Sequence, residues 1–509
     1  MASWPMAQFT LLICIAFVPL MILSDDVKKP GTFFGYVFIG MLIWNVSTTW
    51  WMWNSTDIGA VAAIVANSLL MSLPWLGYFA CKKRYSRLLS LLTLVVFWLG
   101  FEYIHLNWEL SWPWLTLGNV FAEFPSQIQW YEYTGVGGGS LLIWIMNIQA
   151  YLLVCAINEK AHYRVLLAKG LTIIGIVLVI SLINRAVYIQ TPAEKTGENI
   201  VVVQPDIDPY QKFELSTAAE QIKKLIALSE SAIDSNTRMI IWPETAMSVA
   251  EWQEQILQNS YYQPIFEFTK RHPAITLISG IETFKNYGNS KETPTAHHAE
   301  NGIYYDAFNA SIAIKEGEYI QLYNKSKLVP GVEALPSFLR LLAPAFEKFG
   351  GSTGGYGRSN GSMVFSSPGT KYKAAPIICY ESIYGEYVAS YVKKGATILT
   401  ILTNDGWWGN TPGHKQHLAY ARLRAIETRR WVARSANTGI SAIINEYGEI
   451  VEQRGWNKTA TIKYAVPVRT ALSFYVRYGD YIFKSSLLMG LLLIAAHVFI
   501  VAKNKLTKP

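Results

Sequence analysis

The sequence predicts a multi-pass α-helical membrane domain joined to an α/β domain that lies outside the cytoplasm. Three observations carry this reading. Apolar stretches of membrane-spanning length crowd the first 190 positions, a block with alternating strand-like and helix-like patterns follows, and one more apolar stretch closes the chain. With 509 residues, 51% hydrophobic and 14% aromatic, the chain is too apolar for a soluble protein and too polar for a bundle alone. Its length accommodates both a bundle and a globular domain with its own core.

Expected spans run over about 8–24, 31–50, 58–80, 88–106, 138–157, 165–187 and 484–502, each close to the ~20 residues a helix needs to cross the hydrocarbon layer. The expected domains are a bundle over 1–190, a catalytic block over 196–470 and a C-terminal span over 484–503. The stretch 8–24 lacks a basic leading region and a small-residue cleavage site, so it reads as a span rather than a removable signal.

The net charge of +8 is localised. Lys82, Lys83, Arg84 and Arg87 share one short loop, Lys160 and Arg164 flank another, and Lys503, Lys505 and Lys508 lie in the tail. Short basic loops mark the cytoplasmic side. Alternation then places Lys28 and Lys29 with them, and the N-terminus and the 196–470 block on the opposite face. No soluble element carries a basic stripe, which argues against nucleic-acid binding.

Between spans, 107–135 holds Trp108, Trp112, Trp114, Trp130, Tyr131 and Tyr133. Such rings favour the membrane–water interface, so an interfacial or re-entrant element is expected, with a loop covering the bundle as the other reading. Gly135-Val136-Gly137-Gly138-Gly139 permits close backbone approach at the start of the next helix. Cys14, Cys81 and Cys155 lie in or at the end of apolar spans, form no disulfide pattern and read as small apolar filler.

In the block, near-continuous apolar or β-branched runs at 199–204, 238–242, 275–280, 305–314, 374–379, 396–403 and 440–445 read as buried strands. Helical spacing of Ile222, Leu225, Ile226, Ser229 and Ile233 predicts a helix opened by a capping box Thr217…Glu220, and 415–431 predicts a second. The glycine-rich stretch 349–362 lacks the lysine and the strand–helix setting of a phosphate loop, so no nucleotide site is expected.

Three residues stand just past strand-like runs, where α/β active sites assemble. They are Glu244 in Pro243-Glu244-Thr245, Lys325 in Tyr323-Asn324-Lys325, and Cys379 in Ile378-Cys379-Tyr380-Glu381. A thiol needs a base or a nearby cation to become a nucleophile. Glu244 can serve as base, and Lys325 can favour the thiolate and stabilise an oxyanion. Taken singly, each has a structural reading: a buried cysteine, a capping glutamate, a solvated lysine beside Lys327.

The stretches Ile241-Trp242-Pro243-Glu244-Thr245, Tyr323-Asn324-Lys325 with Leu328-Val329-Pro330, and Ile378-Cys379-Tyr380-Glu381 resemble the signature motifs of the carbon–nitrogen hydrolase (nitrilase) superfamily. Joined to the membrane frame, the chain is similar to the apolipoprotein N-acyltransferase family. Further similar stretches are Val203-Gln204-Pro205-Asp206, Leu402 to Gly409, Gln416-His417, Arg422 to Glu427 and Arg434 to Gly439, so the likeness spans nearly the whole chain. The resemblance implies an αββα sandwich and a Glu244–Lys325–Cys379 triad. It also implies a second glutamate, Glu333, which holds the lysine and supports proton transfer; by its place next to the nucleophile, the Tyr380 backbone N–H is expected to be an oxyanion donor.

The implied reaction passes an sn-1 acyl chain from a phospholipid through a Cys379 thioester to the α-amine of a diacylglyceryl-cysteine apolipoprotein. Expected partners are therefore the phospholipid donor, the apolipoprotein acceptor and membrane lipid. The chain is expected to act as a monomer, without cofactor or metal, in a bacterial inner membrane with its catalytic domain on the periplasmic face. The apolar run 334–346 is expected to form a lid through Leu335, Phe338, Leu339, Leu342 and Phe346, an ordinary helix packed on the sheet being the other reading.

Two departures from the family stand out. Lys327 occupies the place where relatives often have His, so two lysines compete for one role, with Lys325 preferred. Relatives also carry one more N-terminal span, which favours a span missing ahead of residue 1. Two other functions stay open at this level: a membrane-anchored amidase that uses water in place of the amine, and a transporter or receptor with an outer binding domain. Against the latter, the spans hold few ionisable residues beyond Glu102 and His497.

Overall fold

The computed structural model describes Trp4 and residues 9–161, 163–337 and 355–506. The chain forms two compact units. One comprises Met1–Trp50, Ala60–Asn184 and Tyr478–Pro509; the other comprises Trp51–Gly59 and Arg185–Arg477.

In the first unit and its continuations, six helices among the described residues are long and apolar enough to cross a membrane: Pro30–Asn54, Asp57–Lys82, Arg87–Asn107, Tyr131–Asn158, Tyr163–Gln190 and Tyr481–Phe499. The expected span 8–24 differs. From residue 9 onward it is a 3-10 helix, Thr10–Cys14, followed by an α-helix, Val18–Asp26, with Pro19 in its first turn. Proline cannot donate to the preceding turn, so a continuous helix breaks there and restarts. Gly100 lets two helices meet closely, because a Cβ on it would lie 3.3 Å from the Leu487 Cα. Lys82 pairs with Asp25, and Arg87 with Glu159 at 3.3 Å, which gathers the basic loop and two other helix ends.

The aromatic segment runs as three 3-10 turns, Pro113–Leu115, Leu117–Glu123 and Pro125–Gln127. Trp114, Leu117 and Val120 are buried, whereas Tyr133 is exposed. The glycines behind it permit the expected close approach. Gly135 has φ +57° and kinks its helix, and a Cβ on Gly139 would lie 2.9 Å from the Gly118 Cα.

The second unit is an αββα sandwich. Its first sheet has the order β14-β1-β2-β4-β6-β5, with β3 on β4 and β7 on β6. Its strands are β1 (Asn199–Gln204), β2 (Thr237–Ile241), β3 (Met247–Trp252), β4 (Thr276–Asn286), β5 (His297–His298), β6 (Tyr304–Ile314), β7 (Gln321–Asn324) and β14 (Ala460–Tyr464). The second sheet has the order β13-β12-β11-β10-β9-β8. It comprises β8 (Phe365–Ser366), β9 (Lys373–Ile378), β10 (Ile398–Thr403), β11 (Trp431–Ala436), β12 (Ser441–Ile444) and β13 (Ile450–Arg454). The central strands β1-β2-β4 and β9-β10-β11 are parallel.

The continuous apolar runs follow from burial on both faces. In β1, Ile200 and Val202 face the core shared with the second sheet, while Val201 and Val203 face the core under the helices Leu215–Ala232 and Gln263–Arg271. On the second sheet, Val388 and Ala389 of helix Gly385–Lys393 and Leu418 of helix Pro412–Thr428 join the inter-sheet cluster.

Two local expectations change. The first helix begins at Leu215 with Glu214 as N-cap, so Thr217 lies inside it and bonds the Glu214 carbonyl instead of forming a capping box. The second helix ends at Thr428, where Arg429 turns left-handed (φ +51°), and the expected tail to 431 opens into β11.

Candidate active site

The sandwich brings Glu244, Lys325, Glu333 and Cys379 together at strand ends. Glu244 follows β2 on a turn whose next residue, Thr245, has φ +48°. The turn presses against β4 at Gly280, where a Cβ would lie 2.2 Å from the Thr245 nitrogen. Only glycine fits there.

Lys325 follows β7 and is 1% exposed. Its Nζ donates to Glu244 Oε1 at 3.2 Å and to Glu333 Oε1 at 2.8 Å. Asn309, on β6, donates its Nδ2 to the same two oxygens, at 2.8 Å and 3.0 Å. The remaining oxygens are held by backbone: Asn404 N–H donates to Glu244 Oε2 (3.1 Å), and Val329 N–H to Glu333 Oε2 (2.8 Å). Two buried carboxylates thus share one ammonium and one amide. Of the two lysines of the motif, Lys325 is the one that contacts these carboxylates. Lys327 instead sits over the rings of Tyr384 (5.0 Å) and Tyr387 (5.8 Å).

Cys379 directly follows β9, is half-buried, and has φ +47°, a left-handed conformation uncommon outside glycine. The residues after it form a 3-10 turn, Cys379–Ile383, which contains Tyr380. Glu381, fully buried, ties this turn to the lysine loop. Its Oε2 accepts from Ile378 N–H (2.9 Å), and its Oε1 accepts from Tyr323 Oη (2.6 Å), Ser326 N–H (2.7 Å) and Lys327 N–H (3.3 Å). Behind the nucleophile, Ser382 Oγ donates to the Cys379 carbonyl at 2.7 Å, and His417 Nε2 lies 3.2 Å from the same oxygen. His417 Nδ1 lies 3.0 Å from Asp405 Oδ1, and Asp405 Oδ2 pairs with Arg434.

The charges are set by these neighbours. Burial opposes ionisation of Glu244, but Lys325, Asn309 and Lys212 overcome it and hold the carboxyl below its usual range. Burial likewise disfavours a charged Lys325, yet Glu333 and Glu244 hold it well above the usual lysine range. Burial pushes the Cys379 thiol well up, Glu244 adds to this, and Lys325 opposes it. The resting site is therefore carboxylate, ammonium and neutral thiol, which suits a base poised for a thiol proton. Cys379, Asp405 and His417 offer atoms within 4.8 Å of one another, the spacing of a metal site. However, the Arg434 guanidinium already neutralises Asp405, which leaves a poor donor set for a cation.

Sequence reasoning missed Asn309, and left Glu381, Asp405 and His417 without roles. Asn309 was visible as a polar residue within the apolar run 305–314. Of the expected lid, Leu335 is half-buried just past Glu333, and Phe338, Leu339, Leu342 and Phe346 lie outside the described residues.

A two-sheet sandwich with these groups at strand ends is the architecture of a carbon–nitrogen hydrolase, and residues 200–473 match that family model. Residues 1–149 match the model for the apolipoprotein N-acyltransferase N-terminal domain. The apolipoprotein N-acyltransferase of Chlorobaculum tepidum is 31% identical over 492 residues, covering 94% of this chain and 90% of that protein. That of Geobacter metallireducens is 26% identical, covering 98% and 92%. Among solved structures, a carbon–nitrogen hydrolase superfamily protein from Xanthomonas campestris covers 56% of this chain and 96% of its own, at 15% identity and a TM-score of 0.36. The chain belongs to the apolipoprotein N-acyltransferase family.

Proposed function

We propose that this bacterial membrane protein transfers a fatty acyl group from the sn-1 position of a phospholipid to the α-amine of a diacylglyceryl-cysteine apolipoprotein. The observation that carries the mechanism is the Lys325 bridge, which keeps Glu244 ionised beside a neutral Cys379 thiol.

In the first half-reaction, Cys379 sulfur attacks the ester carbonyl while Glu244 takes the thiol proton. The Lys325 ammonium and the Tyr380 backbone N–H stabilise the oxyanion. The ester C–O bond breaks, Glu244 returns the proton to the leaving oxygen, and lysophospholipid departs from a thioester. In the second half-reaction, the neutral amine attacks the thioester and gives its proton to Glu244. The C–S bond breaks, an amide remains, and Glu244 reprotonates the thiolate. Glu333 and Asn309 hold Lys325 and Glu244 in register throughout. The basic residues at 82–87 and 160–164 support a cytoplasmic side for those helix ends, and in this reading the alternation of the candidate spans favours a periplasmic face of the inner membrane for the catalytic unit.

The test is a reconstituted assay with defined phospholipid and a diacylated lipopeptide. Formation of triacylated peptide with equimolar lysophospholipid is expected. Release of free fatty acid at the same rate with or without the lipopeptide would instead identify a hydrolase that uses water.

A further inference from the structure

Lys212 lies in the turn between β1 and the helix Leu215–Ala232 and is 0% exposed. No carboxylate among the described residues pairs with it. Its Nζ instead donates to two neutral oxygens of one short turn, the Glu244 carbonyl at 2.5 Å and Thr245 Oγ1 at 2.8 Å. Thr245 Oγ1 in turn donates to the Glu244 carbonyl at 2.8 Å, closing a three-membered ring of contacts. The lysine is itself anchored, since Gln221 Nε2 donates to its carbonyl at 3.0 Å.

A fully buried ammonium without an ion pair is costly, and an apolar side chain would fill the space more cheaply. The fold alone therefore does not account for the charge. Its placement does. The turn it holds contains a β-branched residue in the left-handed region, a conformation that persists only where the surroundings enforce it. That turn presents the carboxylate that meets Lys325 and Asn309.

We propose that Lys212 is the positioning residue of the general base. It pins the strained Glu244–Thr245 turn from the backbone side and, when protonated, supplies a second positive charge that favours the ionised Glu244 carboxylate. This rests on the reading of Glu244 as the base. Among the described residues, the charged and titratable groups that act on Glu244 include Lys325 and Lys212, with Glu333 acting through Lys325 and Cys379 as a further neighbour. Among the described residues Glu244 is the charge that acts on Lys212, and burial lowers the Lys212 pKa to about 7, so its charge is fully present in the acid range where Glu244 titrates.

The experiment follows Cys379 acylation by phospholipid against pH in the detergent-solubilised full chain, with Lys212→Met, Lys212→Gln and Glu244→Gln beside wild type. In folded Lys212→Met the plateau rate is expected to fall by up to about 100-fold, the scale of a misplaced reacting group. The acid limb should move up by about one pH unit or more, as expected for loss of a nearby opposite charge, with the phospholipid KM unchanged. Lys212→Gln keeps a donor for the Glu244 carbonyl without the charge. It should recover part of the plateau while retaining the shifted limb, and it serves as the test should Lys212→Met fail to fold. A wild-type rate and limb in the folded Lys212 variants, with Glu244→Gln inactive, overturns the proposal alone. Full acylation by Glu244→Gln overturns the general-base reading and the proposal with it.

Discussion

Replacing Lys325 by methionine separates the two lysines of the motif. The Nζ of Lys325 lies 3.2 Å from one buried carboxylate and 2.8 Å from another. At an effective dielectric near 20, these contacts are worth about 5 and 6 kcal/mol of gross attraction before desolvation. Removing one partner of a buried pair typically costs about 3–5 kcal/mol. Here Glu244 and Glu333 would be left sharing the Asn309 amide as two like charges, and one of them escapes the cost by binding a proton. A carboxylate in such a shared site titrates well above its usual range. Glu244 then stops being a base at neutral pH, and the oxyanion loses its cation. Acylation of Cys379 is expected to fall by roughly 10²–10⁴-fold, the span of general-base contributions. Lys327→Met removes only a cation over two tyrosine rings, an interaction of about 0.5–2 kcal/mol, and should leave the rate within a few-fold. The assay is single-turnover thioester formation with phospholipid, alongside a circular dichroism check of folding. An active Lys325→Met with an inactive, folded Lys327→Met would refute the assignment.

Other expectations follow from the same geometry. Asn309→Leu removes the amide donor to both carboxylates, and hydrogen bonds to charged groups are worth about 1.5–3 kcal/mol. Acylation should drop at least tenfold in the single-turnover assay, with the acid limb moved upward. Gly280→Ala places a Cβ 2.2 Å from the Thr245 nitrogen and should displace the Glu244 turn, seen as a large loss of rate in protein that still folds. For wild type, the folded Glu244 carboxyl lies below its unfolded value of about 4.3. Its contribution is therefore present above that value and is lost as pH falls through the folded pKa. Lys325 is raised, so its contribution is present below the unfolded value of about 10.4 and is lost only as pH rises past the higher folded one. Acylation should thus stay on a plateau at neutral pH, with an acid limb below the ordinary carboxylate range. A limb above pH 5 in rate measurements would contradict this.

Strand positions were legible because the central strands are buried on both faces. Residues 199–204 and 305–314 read as apolar or β-branched runs, and the structure has β1 and β6 there. The proposed catalytic residues could be singled out because the proposed chemistry needs a base, a cation and a thiol at strand ends. Contacts made across the fold left no local trace. Lys212, Asn309 and Glu381 act through partners 32, 65 and 55 positions away, and no sequence spacing encodes such pairings. The helix ending at Thr428 was overextended because Arg429-Arg430-Trp431 continues a good helical pattern. The break comes from a left-handed Arg429 whose guanidinium donates to the Glu446 carbonyl at 3.0 Å. The expected 8–24 helix is interrupted ahead of Pro19, a signal that was present but outweighed by apolar composition.

The most direct test of the account is intact mass spectrometry of the purified full chain after incubation with phospholipid, with Cys379→Ser beside it. The expected result is a fatty-acyl adduct on wild type that hydroxylamine removes, that the Cys379→Ser protein lacks, and that a diacylated lipopeptide acceptor discharges. An adduct that persists in Cys379→Ser, or acyl transfer to the lipopeptide without any adduct under single-turnover conditions, would contradict a Cys379 thioester.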